Sequence, residues 1–127
     1  MTVQRLIPII DDDYAVRNGL SNLLRSAGYE VIGFASAEDF LKYNAAYSVD
    51  AIILDVKLAG INGFELLARL ANSRPPLPVI LISGHGDERM RARAINEGAV
   101  AFLRKPIDVD TLLECIRLIV AKGGEPP

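Results

Sequence analysis

The sequence predicts an α/β fold built on one doubly wound, five-stranded parallel sheet. Three observations predict it. Five short runs rich in Val, Ile and Leu recur along the chain, mostly unbroken by polar residues, as in strands buried on both faces. Each run is followed by a segment whose apolar residues fall at helical spacing. Strand–helix alternation repeated five times calls for crossover helices on both sides of a parallel sheet. The 127 residues suit one domain, and a chain of this size buries roughly two-thirds of its unfolded surface without needing a disulfide or structural metal.

The first run is Leu6–Ile10. Pro8 is its misfit, because proline cannot donate to a sheet ladder. The helix that follows carries Val16, Leu20, Leu23, Leu24 and Ala27 and stops at Gly28, with Asp13 placed to cap its start. The second run, Glu30–Phe34, precedes a helix opening at Ser36 and carrying Phe40 and Leu41. The third, Ala51–Leu54, leads to a helix with Phe64, Leu67, Leu70 and Ala71 that ends before Pro75-Pro76. The fourth, Val79–Ile82, leads to the weakest stripe, Met90, Ala94 and Ile95 among charged residues, ahead of Gly98. The fifth, Val100–Leu103, leads to a helix opening at Asp108 with Leu112, Leu113, Ile116, Ile119 and Val120. The domain is expected over residues 1–122, with 123–127 a flexible tail or the start of a linker.

Composition excludes several classes. Cys115 and His85 are the lone cysteine and histidine, so neither an intrachain disulfide nor a Cys/His zinc site is available. Apolar runs of about five residues fall far short of the roughly 20 needed to span a bilayer. The start, Met1–Arg5, lacks a signal-peptide layout. A cytoplasmic domain without membrane contact is the expectation. Net charge is −2, from 14 basic and 16 acidic residues spread along the chain, which argues against nucleic-acid binding by the domain itself.

The chemistry gathers where strands end. Asp11, Asp12 and Asp13 follow the first run, Asp55 the third, Ser83 the fourth and Lys105-Pro106 the fifth. Only the second, ending at Ala35-Ser36, offers nothing chemically pointed. In a parallel sheet these ends share one edge, and ligands bind beyond it where the strand order reverses. Two carboxylates about 4 Å apart repel by about 4 kcal/mol at an effective dielectric near 20. A hard divalent cation with oxygen ligands offsets this, and a small site that keeps waters favours Mg²⁺. Carboxylates, cation, hydroxyl and ammonium together suit a phosphoryl group. Taken singly, the acids read as helix caps or loop acids, Ser83 carries almost no information, and Lys105-Pro106 reads as a turn. The signal is the agreement of four strand ends. Gly84-His85-Gly86-Asp87 lacks the order of a phosphate loop.

The acid pair after Ile9-Ile10, then Ile53-Leu54-Asp55-Val56-Lys57 with Gly60 and Gly63, then Leu81-Ile82-Ser83-Gly84, then Phe102-Leu103-Arg104-Lys105-Pro106 form an ordered set. Over about residues 5–121 it resembles the receiver domain of bacterial two-component response regulators. The resemblance implies a flavodoxin-like strand order, 2-1-3-4-5, and a signalling module that catalyses only its own phosphorylation and dephosphorylation. Asp55 would accept a phosphoryl group from the phosphohistidine of a sensor kinase or phosphotransfer protein. Asp12, Asp11 (partly through water), Asp55 and the backbone carbonyl of Lys57 would hold Mg²⁺. Lys105 would pair with phosphoryl oxygens, Ser83 would move to bond them, and Phe102 would turn inward behind it. The side chains of Lys57 and His85 would tune how fast water removes the group. A cis Lys105–Pro106 bond is implied too. Ser83–Asp87 and Gly98-Ala99-Val100 are similar to the subgroup that carries a C-terminal helix-turn-helix domain and regulates transcription. Three departures stand out: Ala59 where the family usually has Pro, Ala101 where this subgroup often has Asp, and Pro8.

Two other classes compete. A Mg²⁺-dependent phosphatase with an aspartyl nucleophile resembles a D-x-D pattern at the first strand and needs a cap, whereas here the candidate nucleophile follows the third strand. A pure interaction module would leave the acids structural. A phosphorylation-promoted homodimer is also expected, through the fourth helix and fifth strand. The fourth helix offers Arg89, Arg91 and Arg93, with Arg104 nearby, and the start of the fifth helix offers Asp108, Asp110 and Glu114, opposite charges that can pair across a two-fold axis.

Overall fold

The computed structural model describes residues 5–43 and 48–123. Its elements are β1 (Arg5–Ile10), α1 (Tyr14–Ser26), β2 (Val31–Phe34), α2 (Ala37–Lys42), β3 (Ser48–Val49), β4 (Ile52–Asp55), α3 (Gly63–Ala71), β5 (Val79–Ser83), α4 (Glu88–Asn96), β6 (Ala101–Arg104) and α5 (Val109–Gly123). All strand pairs are parallel, in the order β2-β1-β4-β5-β6, with the two-residue β3 against the start of β1. This is the expected 2-1-3-4-5 arrangement with one addition, the short β3 ahead of the third main strand. Gly123 closes α5, and the rest of the expected tail lies outside the described residues.

The addition explains the proline. Along β1, Leu6 pairs with Val49, but Ile9 pairs with Ile53, so the register slips by one residue between β3 and β4. That slip is a bulge. The amide of Ile7 donates to the Glu30 carbonyl on the β2 side, at 2.8 Å. Successive residues of a strand address opposite neighbours, so the nitrogen of Pro8 faces the bulge. Proline lies where the ladder is already interrupted, the one internal position it tolerates.

Helix starts are fixed by side-chain caps. Asp13 accepts from the amide of Ala15 at 2.9 Å, Ser36 from Asp39 at 3.0 Å and Asp108 from Thr111 at 3.0 Å, as the sequence suggests. Asn62 and Asp87 cap α3 and α4 in the same way. Each cap is worth about 1 kcal/mol. Gly28 adopts φ +96° just beyond α1, a conformation that favours glycine.

The core has two layers. Ile10, Leu54, Leu81 and Phe102 pack under α3 and α4 with Leu66, Leu67 and Ala94. Ile7, Ile9, Ile53, Ile80 and Ile82 pack on the other face against Leu20, Leu24, Leu112 and Ile116 of α1 and α5. Both faces are covered, which is why β4 and β5 are apolar without alternation. α4 contributes a single buried residue, Ala94, in keeping with its weak stripe. Among the described residues, no helix is long and apolar enough to cross a membrane.

Candidate functional site

Four strand ends deliver the site. Asp11 follows β1, Asp55 ends β4, Ser83 ends β5 and Lys105 follows β6. Asp11 is fully buried, and Asp55 and Ser83 are each 4% exposed. The main chain of Asp11 is held on two sides: its amide donates to the Phe34 carbonyl at 3.1 Å, and Arg17 Nη1 donates to its carbonyl at 2.7 Å. The amide of Lys105 donates to the Ser83 carbonyl at 2.8 Å, so the hydroxyl and the ammonium rest on adjoining strand ends. The Lys105–Pro106 bond is cis, as expected; Arg74–Pro75 is cis as well.

Lys105 Nζ lies 3.0 Å from Asp11 Oδ2 and 3.2 Å from Asp55 Oδ2. The other Asp11 oxygen accepts from the amide of Asp13 at 2.9 Å, and the other Asp55 oxygen from the amide of Lys57 at 3.2 Å. Burial, and then the charge of Asp11, hold the Asp55 carboxyl above its ordinary pKa despite the Lys57 amide and the Lys105 ammonium. Burial works to lower the Lys105 pKa, but its hydrogen bond to Asp11 and the charges of Asp55 and Asp11 outweigh it, and the net shift is upward.

One carboxylate oxygen from each of Asp11, Asp12 and Asp55 falls within a cluster 4.8 Å across. Among the described residues, Asp11 Oδ2 is enclosed and has only the Lys105 ammonium as a close partner. Three hard oxygen donors, one of them with spare lone pairs in a buried place, fit a divalent cation. The cluster opens into a cleft of about 580 Å³ lined by Asp12, Lys57, Asn62, Ser83, His85 and Lys105 among others.

The two side chains expected to switch together do not share one state. Phe102 is already inward and 1% exposed. A Cβ at Gly86 would come within 2.8 Å of its ring, and the Arg91 guanidinium lies 5.5 Å from the ring centre. The Ser83 hydroxyl instead donates to the His85 carbonyl and accepts from the His85 amide at 3.1 Å, so it is engaged by its own loop. Sequence reading did not single out Arg93 as a wall of the cleft. Its guanidinium stacks 3.8 Å over the Phe64 ring and bonds Glu97 at 2.7 Å. The Arg93/Glu97 spacing was a readable signal; the contact with Phe64 was not.

Comparisons with known proteins bear on the family and the fold. Residues 7–117 match the model of the response regulator receiver domain. The transcriptional regulatory protein FixJ of Bradyrhizobium diazoefficiens is 40% identical over 126 residues, covering 99% of this chain and 61% of FixJ. The response regulator protein TmoT of Ectopseudomonas mendocina is 40% identical, covering 90% of this chain and 52% of TmoT. Full-length FixJ from B. japonicum superposes with a TM-score of 0.84 at 36% identity, covering 97% of this chain and 61% of that structure. The response regulator StyR superposes at 0.83 and 37%, covering 94% and 60%. The chain thus spans only half to three-fifths of the length of these relatives.

Proposed function

The chain belongs to the family of response regulator receiver domains, and from that premise we propose that Asp55 accepts a phosphoryl group in a Mg²⁺-dependent transfer that switches an output. Receiver domains of this family are signalling domains that interact with sensor kinases or phosphotransfer proteins. The observation that carries the reading is the Lys105 ammonium set between Asp11 and Asp55, at 3.0 and 3.2 Å, beside an open cleft.

In the transfer, an Asp55 carboxylate oxygen attacks the phosphorus of a phosphohistidine on the partner. The new P–O bond forms as the P–N bond breaks, and the bonding pair returns to the imidazole nitrogen, which takes a proton from water. Lys105 then neutralises part of the arriving phosphoryl charge. The carboxylates of Asp11, Asp12 and Asp55 and the carbonyl of Lys57 would hold Mg²⁺, which when bound supplies positive charge to the phosphoryl oxygens. Ser83 exchanges its bond to the His85 carbonyl for one to the phosphoryl group, with Phe102 inward behind it. The added charge biases a balance between two packings. The side chains of Lys57 and His85 border the approach of water to the acyl phosphate and set its lifetime.

The relatives include transcriptional regulators, so we place the domain in the cytoplasm and assign its output to transcription. The phosphorylated form self-associates through α4 and β6. Intact-mass measurement with Mg²⁺ and acetyl phosphate tests the assignment of Asp55. One added phosphate is expected, and none in Asp55→Asn; an unchanged mass gain in that variant would refute it.

A further inference from the structure

The loop between β4 and α3 carries Lys57, and it is fastened from an unexpected direction. Its ends are tied locally: the amide of Gly63 donates to the Val56 carbonyl at 2.9 Å. Its middle is tied by α2. Glu38 Oε2 accepts from the amide of Ile61 at 3.0 Å, across 23 residues of sequence. The carboxylate fills the space beside Gly60, which adopts φ +74°, and a Cβ there would collide with it. Only glycine meets both demands, the left-handed backbone and the missing side chain. Among the described residues, Glu38 Oε1 is enclosed as well and has no hydrogen-bond partner. The donated amide, and then Glu38's own amide, hold the carboxyl below its ordinary pKa against the opposing effect of burial.

Glu38 is delivered by an anchored helix. Ser36 caps α2, Ala37 is fully buried, and Phe40 meets Phe34 edge-on with ring centres 5.5 Å apart. The loop itself has Ala59 where a proline would have stiffened it.

We propose that Glu38 is a positioning residue for phosphoryl transfer: its carboxylate latches the loop of residues 56–62, so that the Lys57 main chain stays beside Asp55. The inference rests on the reading of Lys57 as a carbonyl ligand of the cation. The Lys57 amide already bonds Asp55, at 3.2 Å, so a loosened loop would disturb the carboxylate and the carbonyl together. An outer hydrogen bond that orients a ligand commonly governs affinity about tenfold or more.

The test compares Glu38→Ala, which removes the acceptor, with Glu38→Gln, which keeps one. Mg²⁺ alone is titrated and followed by amide resonances, and amide hydrogen exchange is measured on the same proteins. In Glu38→Ala, Mg²⁺ affinity should fall about threefold to tenfold, and exchange at Lys57 and Ile61 should quicken about tenfold. Exchange in β5 should stay unchanged, and Glu38→Gln should stay within about twofold of the parent on both measures. Unchanged affinity in Glu38→Ala overturns the latch, as does faster exchange spread over the whole sheet. A Glu38→Gln variant as impaired as Glu38→Ala would overturn it too. If the parent does not bind Mg²⁺, the metal reading itself fails; the exchange data then show separately whether Glu38 holds the loop.

Discussion

Lys105 faces more negative charge than it cancels. One ammonium lies against two buried carboxylates, with Asp12 close by. Without a cation, removing one acid should therefore help the fold. Because the Asp55 carboxyl sits above its ordinary 3.8, its contribution to stability is fully present below that value and is lost as pH rises through the folded-state value. At neutral pH with chelator, urea denaturation should find Asp55→Asn more stable than the parent by about 1 kcal/mol. Lys105→Ala should do the opposite. It leaves buried carboxylates facing each other, and a loss of about 2 kcal/mol is expected in chelator, partly recovered when Mg²⁺ is added. A gain in stability for Lys105→Ala in chelator would show that the ammonium is not the counter-charge described here.

At the scale of elements, α4 is held less firmly than its neighbours. Ala94 is its one buried residue, while α3 buries Phe64, Leu66, Leu67 and Leu70. Two aromatic contacts add to its hold, Arg93 over Phe64 and Arg91 near Phe102. Amide exchange in α4 should be faster than in α3 or β5, measured on the unmodified domain; equal protection would mean that these contacts suffice to lock it. Most elements were readable because burial on both faces leaves unbroken Val, Ile and Leu runs, and because Asp13, Ser36 and Asp108 stand at the right offsets to cap helices. β3 was not readable, since two residues carry no periodicity. The acids and Lys105 could be located because every strand end of a parallel sheet falls on one edge. The orientation of the Ser83 hydroxyl, the reach of Glu38 to Ile61 and the stack of Arg93 on Phe64 depend on side chains meeting across the fold, which spacing along the chain does not encode.

For the whole molecule, the proposed dimer inherits a constraint from these contacts. Arg91 and Arg93 are engaged within the fold, by Glu88 at 3.6 Å and Glu97 at 2.7 Å as well as by the aromatic rings. Reversing their charge would disturb packing as well as association, so Arg89 and Arg104 are the sharper probes. Sedimentation with beryllofluoride should show a dimer that weakens as salt rises, because exposed pairs contribute only about 0–1 kcal/mol each. Both forms staying monomeric at low salt would remove the dimer from this domain. The proline opposite the bulge bears on how the site is assembled in the first place. A slip of one residue along β1 would set Pro8 against a carbonyl that it cannot satisfy and would turn Ile9 and Ile10 to the wrong faces. Pro8 thus weighs against the neighbouring alignment, and the alignment present is the one that continues past Ile10 and Leu54 to set Asp11 beside Asp55.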